Sequence, residues 1–457
     1  MRSSRRQFLT AAGVSLAAFP LVSQSGQHPT TSAPPRGRPF IQLNIRDYGA
    51  AADGSTKDTL AFQQAIDRAN AFGGGEVFIP QGDYLIGAIA LRSNVHLRLD
   101  PGASLMGSAD LTDYPLTQVR WEGRWVKGHS ALINSTDTKN IAITGTGRII
   151  GSPAIPGRLD KQTGLRHPAL LEFTNCTNIV VIDCVTEQNE MWSIHPVCCE
   201  TVTFRNVTVR GGADGIDIDS CKTVMIDNCN FSTGDDCISL KSGRGAEGYA
   251  LAHATEDVYI SNCVFADTNW ACIGIGSETS GGVRNVRIEH CRCTEAHTFA
   301  IYIKTRPGRG AFIEDIFVDD LEVSNARQGF LRINLLDSGK QDEFPVPGDQ
   351  GIPSASGFHF NNIRVNNVPI LIQATSTVPS KPIQSFTLTN ITGSCDKGIF
   401  LANIRGAELS GIQLSDVNGP LLSAVNVTGK GIDDAAPLDP TPPVAPLPRL
   451  VTPYRFQ

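Results

Sequence analysis

The chain has 457 residues, 41% of them hydrophobic, with 44 Gly, 12 Cys and a formal charge of −6. That is enough apolar material for a large core, and an acidic balance does not suggest a nucleic-acid partner. After the first 25 residues no apolar run is long enough to cross a bilayer, so no membrane partner is expected once the N-terminus is removed.

The N-terminus reads MRSSRRQFLTAAGVSLAAFPLV, a basic segment followed by a short apolar one. This is the pattern of an export signal. Arg5-Arg6-Gln7-Phe8-Leu9 resembles a twin-arginine address, so residues 1–26 are expected to be removed on export to the periplasm or beyond. Their removal takes away Arg2, Arg5 and Arg6 and no acid, which moves the formal charge from −6 to −9. Residues 27–44 read as a spacer.

Residues 45–107 hold one helical segment, about 58–71, with Leu60, Phe62, Ala65, Ile66 and Ala69 at helical spacing. Asp58 or Thr59 suits the N-cap, and Gly73–Gly75 ends the helix. From about residue 140 short β-type runs recur: VVIDCV, VTFRNV, VMIDNC, VYISNC, VRIEHC, IFVDDL, FHFNNI, FTLTNI and IQLSDV. The polar residue before the last position is Asp183, Asn206, Asn228, Asn262, His290, Asp320, Asn362, Asn390 or Asp416. The steps between them are 23, 22, 34, 28, 30, 42, 28 and 26 residues. A period in the twenties with variable insertions marks a solenoid. Strands this short bury a face only by stacking, and Asn suits a tight corner because it tolerates the left-handed region. The expected fold is all-β: a single right-handed parallel β-helix over residues 45–430, with a short N-terminal capping helix and a Pro-rich tail over 431–457.

Cys184, Cys229, Cys263 and Cys291 recur at one place in the repeat and read as stacked core thiols. Cys198–Cys199 and Cys291–Cys293 stay open as bridges. No zinc spacing occurs, and neither a metal nor another cofactor is expected.

Asp214 lies eight residues after Asn206, Asp236 eight after Asn228, and Trp270 eight after Asn262. Stacked coils therefore place these three in one column, with neighbouring strands about 4.8 Å apart. Carboxylates crowded in this way do not all stay ionised easily, and a pair with separated pKa values serves acid–base chemistry. Asp235 adjoins Asp236. An aromatic ring above carboxylates suits a sugar, and Lys304, with Arg306 and Arg309, adds positive charge from the next coil but one. His195 lies one coil before Asp214. Asp217 and Asp219 read as turn or ladder residues.

The motifs then resemble glycoside hydrolase family 28, the polygalacturonases and their relatives, over nearly all of the chain after residue 45. Ala213-Asp214-Gly215-Ile216-Asp217 resembles the family's Asn-Thr-Asp-Gly motif. Gly234-Asp235-Asp236-Cys237-Ile238, with Lys241-Ser242-Gly243, resembles its Gly-Asp-Asp motif. Ile275-Gly276-Ser277-Glu278 with Ser280-Gly281-Gly282-Val283, and Ile303-Lys304-Thr305, resemble the third motif and Arg-Ile-Lys. The resemblance implies an inverting hydrolase of galacturonate-containing pectic polysaccharides or oligosaccharides; the chain is expected to be a monomer. The resemblance also implies Asp235 as general acid, Asp214 and Asp236 as bases, and Lys304 as a uronate ligand. Tyr302, Trp270, Lys241 and His195 complete the expected substrate-binding set.

Three positions depart from the family. Gly212 stands for its Asn, Trp270 for its His and Tyr302 for its Arg. Rhamnogalacturonan-cleaving relatives also lack that His and carry a Tyr near the Lys, but they replace the second Asp of the pair with Glu, whereas Asp236 is retained here. Two other readings compete: a calcium-dependent pectate lyase on the same fold, and a carbohydrate-binding solenoid without catalysis.

Overall fold

The computed structural model describes residues 41–448. The twin-arginine segment and most of the spacer lie outside them. The chain winds into stacked coils whose short strands pair in parallel with their equivalents one coil on, giving the right-handed parallel β-helix expected of the repeat. One coil contributes Leu171–Thr174, Thr177–Ile182 and Val185–Asn189. The next pairs against it at Leu171↔Ile194, Ile179↔Val202 and Val185↔Thr208. The connections rise in the right-handed sense that parallel crossovers favour.

All nine predicted corner residues, from Asp183 to Asp416, have positive φ, between 51° and 68°. Their side chains form the expected ladder: Asn206 donates to Asp183 and Asn228 to Asn206, each at 2.8 Å. A second ladder turns the preceding corner, where Asn140 donates to Asn94, Asn178 to Asn140 and Asn285 to Asp257.

The core runs inside the coils. Isoleucines, valines and phenylalanines stack from turn to turn, as in Phe231 on Phe265 with ring centres 5.4 Å apart. Helix α1 (Thr59–Ala71) covers the N-terminal end with Phe62, Ala65, Ile66 and Ala69. Leu60 instead faces solvent at 69% exposure, so the helix uses a narrower stripe than its sequence spacing suggests. Asp58 takes the expected N-cap position of α1 through its carbonyl, but its side chain does not cap; its carboxylate accepts from the amides of Ala51 and Ala52.

The cysteines at 184, 229, 263 and 291 are buried free thiols. The bridge that forms joins Cys272 to Cys293, a pairing the sequence spacing did not single out. Among the described residues no helix is long and apolar enough to cross a membrane.

Outside the coils, β1 (Leu116–Trp121) and β2 (Arg124–His129) form an antiparallel hairpin. The ladder that carries the polar face is β3 (Leu171–Thr174), β4 (Ile194–Val197), β5 (Ile216–Asp219), β6 (Ile238–Lys241), β7 (Ile273–Ile275), β8 (Phe299–Lys304) and β9 (Gly329–Asn334). A short helix, α2 (Gly245–Leu251), follows β6.

Candidate active site

In β5 and β6 the alternation of a strand puts Ile216, Ile218, Ile238 and Leu240 into the core and turns Asp217, Asp219, Ser239 and Lys241 outward. The turns that lead into these strands carry Asp214, Asp235 and Asp236. Ile216 pairs with Ile238, so two residues earlier Asp214 lies under Asp236 as the phase of the repeat predicts. The next coil differs by one residue. Phe231 pairs with Phe265 but Ser232 with Asp267, which leaves Ala266 as an insertion. Ala271 therefore sits above Asp236, and Trp270 sits above Asp235. The Trp270 indole remains 42% exposed.

Each carboxylate has a defined set of partners. Asp214 Oδ2 accepts from the Lys241 ammonium at 3.0 Å and from the Ser239 hydroxyl at 3.1 Å. Asp236 Oδ2 accepts from the same hydroxyl at 3.2 Å and from Lys304 Nζ at 2.7 Å, while its Oδ1 accepts from the Ala271 amide. Asp235 Oδ1 accepts from the Asp236 amide at 2.9 Å, and its Oδ2 from an Arg158 Nη2 at 2.5 Å. The Asp235 carbonyl accepts from the hydroxyls of Thr233 and Thr268, which fixes the backbone from two successive coils.

Burial and charge pull these groups apart. Burial raises the Asp236 carboxyl, against the pull of Lys304, and Asp235 and Asp214 push it further, to about 6. Burial also acts to raise Asp214, but Lys241 and Arg158 outweigh it and hold Asp214 below the usual carboxylate range. Asp217 shares the Lys241 ammonium at 2.7 Å, yet burial drives its carboxyl well upward. Its Oδ1 is buried without a hydrogen-bond partner. One ammonium shared by two carboxylates thus favours the ionised form more at Asp214 than at Asp217, whose deeper burial works against it.

Several expected ligands take different places. Lys241, expected among the substrate ligands, is buried between Asp214 and Asp217, over the Trp192 ring at 4.6 Å, where it pairs with both carboxylates. His195 is 1% exposed, with Nδ1 3.0 Å from Glu172 Oε2 and Trp192 packed on its ring. It belongs to a buried cluster in which burial works against the Glu172 carboxyl but Arg166 and His195 bring it down to about 2. Asp217 and Asp219 are strand residues in ion pairs, not turn residues; Asp219 accepts from Arg120 of β1 at 2.9 Å. Arg309 is fully buried and donates to the carbonyls of Ser277 and Lys340 and to the Asp342 carboxylate. With Arg306, which donates to the Gly339 carbonyl, it pins the loop after β9 and adds no charge to the carboxylates.

Lys304 and Tyr302 stay at the site. Tyr302 is 7% exposed, with Lys304 Nζ 5.3 Å and the Arg332 guanidinium 5.2 Å from its ring. It packs beside two cations. Gly274, in register with Ser239 and Tyr302, leaves room for Asp236: a Cβ there would lie 2.3 Å from Asp236 Oδ2. At Gly212 a Cβ would lie 2.6 Å from Glu190 Oε1, so Glu190 occupies the space that the family's Asn would need.

Arg158 was not anticipated. It comes from the irregular segment between Ile150 and Leu171, where no periodicity marks it. The long inserts foreseen between Asn228 and Asn262 and between Asp320 and Asn362 meet the β1–β2 hairpin. Glu122 pairs with Arg244 at 2.9 Å and with Lys340 at 2.8 Å, and α2 presents Glu247 to Arg120 at 3.2 Å. For a cation, Asp267, Glu295 and His297 offer ligand atoms within 4.8 Å of one another, but Arg327 already donates to Glu295 at 2.6 Å.

The family model described as "Glycosyl hydrolases family 28" matches residues 73–331. A probable polygalacturonase of Vitis vinifera is 26% identical over 374 residues, covering 76% of this chain and 73% of the relative. An exo-poly-alpha-D-galacturonosidase of Dickeya chrysanthemi is 24% identical, covering 67% of this chain and 58% of the relative. Among solved structures, a hyperthermoactive exopolygalacturonase of Thermotoga maritima superposes with a TM-score of 0.70 at 25% identity, covering 82% of this chain and 93% of that one.

Proposed function

The chain belongs to glycosyl hydrolases family 28 and is a glycoside hydrolase, and from that premise we propose that it cleaves α-glycosidic bonds in galacturonate-containing pectic polysaccharides or oligosaccharides, with inversion, after export through the twin-arginine route. The catalytic domain is residues 45–430, followed by the Pro-rich tail. The observation that carries the reading is the division of labour among three aspartates. Asp214 and Asp236 are joined through the Ser239 hydroxyl, whereas Asp235 stands apart with 28% of its side chain exposed, below the indole of Trp270. Asp235 donates its proton to the glycosidic oxygen as the bond from C1 breaks. A water molecule adds to C1 from the opposite face and passes its proton to the Asp214–Asp236 pair.

The positive groups fit an anionic sugar. Lys304 and Arg332 both lie close to the Tyr302 ring, and Arg158 stands at Asp235. The Vitis and Dickeya relatives bear polygalacturonase and exo-poly-alpha-D-galacturonosidase names, which supports a galacturonan backbone. Retention of Asp236 points the same way, while Trp270 and Tyr302 leave room for a rhamnogalacturonan. The lyase reading loses ground because Asp214, Asp235 and Asp236 each already have a cation partner. The bases that lyase chemistry would require, Lys241 and Lys304, are moreover raised by their aspartates against the effect of burial, and so accept protons poorly.

The deciding experiment is a product profile on homogalacturonan, rhamnogalacturonan and their oligomers, with and without a chelator. Saturated products of inverted configuration support hydrolysis, and monomer release from one end separates exo from internal cleavage. Unsaturated products that vanish with chelator would establish the lyase instead, and binding without any product would establish the non-catalytic solenoid.

Two further results are expected. Because Asp236 must be ionised to act as a base and its carboxyl is raised to about 6, kcat/KM falls as pH drops through that value. An acid limb near pH 4 in the rate profile would remove Asp236 from that role. Gly274→Ala pushes the Asp236 carboxylate and its Lys304 partner aside. It lowers kcat by about 100-fold, the scale of a misplacement of roughly 1 Å, with little change in melting temperature; unchanged turnover would show that the close approach has no catalytic consequence.

A further inference from the structure

Arg158 sits on a hydrogen-bonded backbone and carries a partly exposed head. Its carbonyl accepts from the His167 amide at 2.9 Å, and Leu159 pairs antiparallel with Arg166. His167 Nδ1 lies 3.0 Å from the Gly157 carbonyl, and Asp160 caps the amides of Gln162 and Thr163. Beneath them Arg166 is fully buried against Glu172 and the carbonyls of Arg120 and His129. The Arg158 side chain is 36% exposed, against 9% for Lys241 and 12% for Lys304. Of the three cations at the aspartates, it is the most exposed.

Its present partner conflicts with the role given to Asp235. Both Asp235 oxygens accept hydrogen bonds, Oδ1 from the Asp236 amide and Oδ2 from Arg158. A carboxyl group that serves as an acid needs one oxygen to carry and donate a proton. At rest each oxygen already accepts one bond, and a proton on Oδ2 has to compete with the charged Arg158 contact. A guanidinium binds a carboxylate best through two parallel N–H groups, and here Arg158 gives Asp235 a single close contact, with Asp214 Oδ1 at 3.9 Å. A uronate carboxylate entering the groove offers it a better partner.

We propose that Arg158 is a specificity-determining residue that gates the acid. The uronate carboxylate of the bound sugar takes the guanidinium, Asp235 Oδ2 is released, and it gains a proton from solvent. That proton then passes to the glycosidic oxygen as the C1–O bond breaks, water forms the new bond to C1, and the water's proton goes to the Asp214–Asp236 pair. A methyl-esterified uronide has no anion to offer and leaves Arg158 on Asp235. The inference rests on the proposed pectic hydrolase reading.

The test compares wild type, Arg158→Gln and Arg158→Lys on polygalacturonate and on its methyl ester, by release of reducing ends, with thermal melting as a control for folding. Wild type is expected to favour the acid over the ester by about 10–100-fold, the worth of a charge-assisted pair. Arg158→Gln frees Asp235 with either polymer and is expected to bring that ratio close to one, by loss of the uronate contact on the acid and gain of rate on the ester. Arg158→Lys, which keeps the charge without the fork, restores part of the ratio and serves as the comparison if Arg158→Gln does not fold. Variants that melt like wild type and keep its ratio overturn the gating role while leaving the hydrolase reading intact. A wild-type chain that hydrolyses neither polymer overturns both.

Discussion

Asp235→Asn is expected to lower kcat by about 10³–10⁴-fold, the range that general acid catalysis contributes, while the fold persists. The side chain is only partly buried, and an asparagine oxygen can still accept from Arg158 or from the Asp236 amide. The carbonyl of residue 235 keeps both threonine hydroxyls. What the amide cannot do is release a proton to the leaving oxygen. Reducing-end release on a pectic oligomer, beside a thermal melt, separates the two effects. Substantial residual hydrolysis by a well-folded variant would move the acid role away from Asp235.

Lys241→Met is the change expected to cost most stability. It removes the ammonium that lies 3.0 Å from Asp214 and 2.7 Å from Asp217, both buried. Breaking a buried pair by deleting one partner typically costs about 3–5 kcal/mol. The pH dependence gives the check. Without the ammonium, burial raises Asp214 as it already raises Asp217, so the folded carboxyls bind protons more tightly than the unfolded chain does. The deficit is therefore largest above the raised folded values and shrinks as pH falls towards the unfolded value of about 3.9. Denaturant midpoints at pH 7 and pH 5 read this directly; a midpoint near that of wild type at both would show that the lysine is not what holds the aspartates together.

The fold was legible because corners and core repeat. Asn206, Asn228 and their equivalents announce a left-handed residue in every coil, and the apolar alternation beside them fixes which side is in. That phase was enough to stack Asp214 under Asp236. It failed by one residue at Trp270 because Ala266 is an insertion that no spacing of corner residues can reveal. It also could not assign charge partners. Lys241, His195, Asp217 and Asp219 sit on the polar face in the right ladder, but whether such a residue meets solvent depends on what covers it. Here the cover is Trp192, Arg166 and the β1–β2 hairpin, including an Arg120 that is 99 positions from Asp219. Arg158 was invisible for the same reason, as a basic residue in an aperiodic segment whose partner lies 77 positions later. The Cys272–Cys293 bridge, too, joins positions that are not equivalent in the repeat: Cys272 is in register with Cys237, and Cys293 with Phe265.

The ladder of corner residues has a consequence for how such a protein can diverge. Each corner is an index mark: once the chain reaches it, the coil is back in register however much was added since the last one. Steps of 34 and 42 residues carry α2 and the loop that Arg309 pins, yet the strands after them pair as if nothing had intervened. The step from Asn206 to Asn228 is the shortest of the series, at 22 residues, and it is the one that separates Asp214 from Asp236. New wall can thus be built on neighbouring coils, changing which polymer fits, without altering the spacing of the reacting pair.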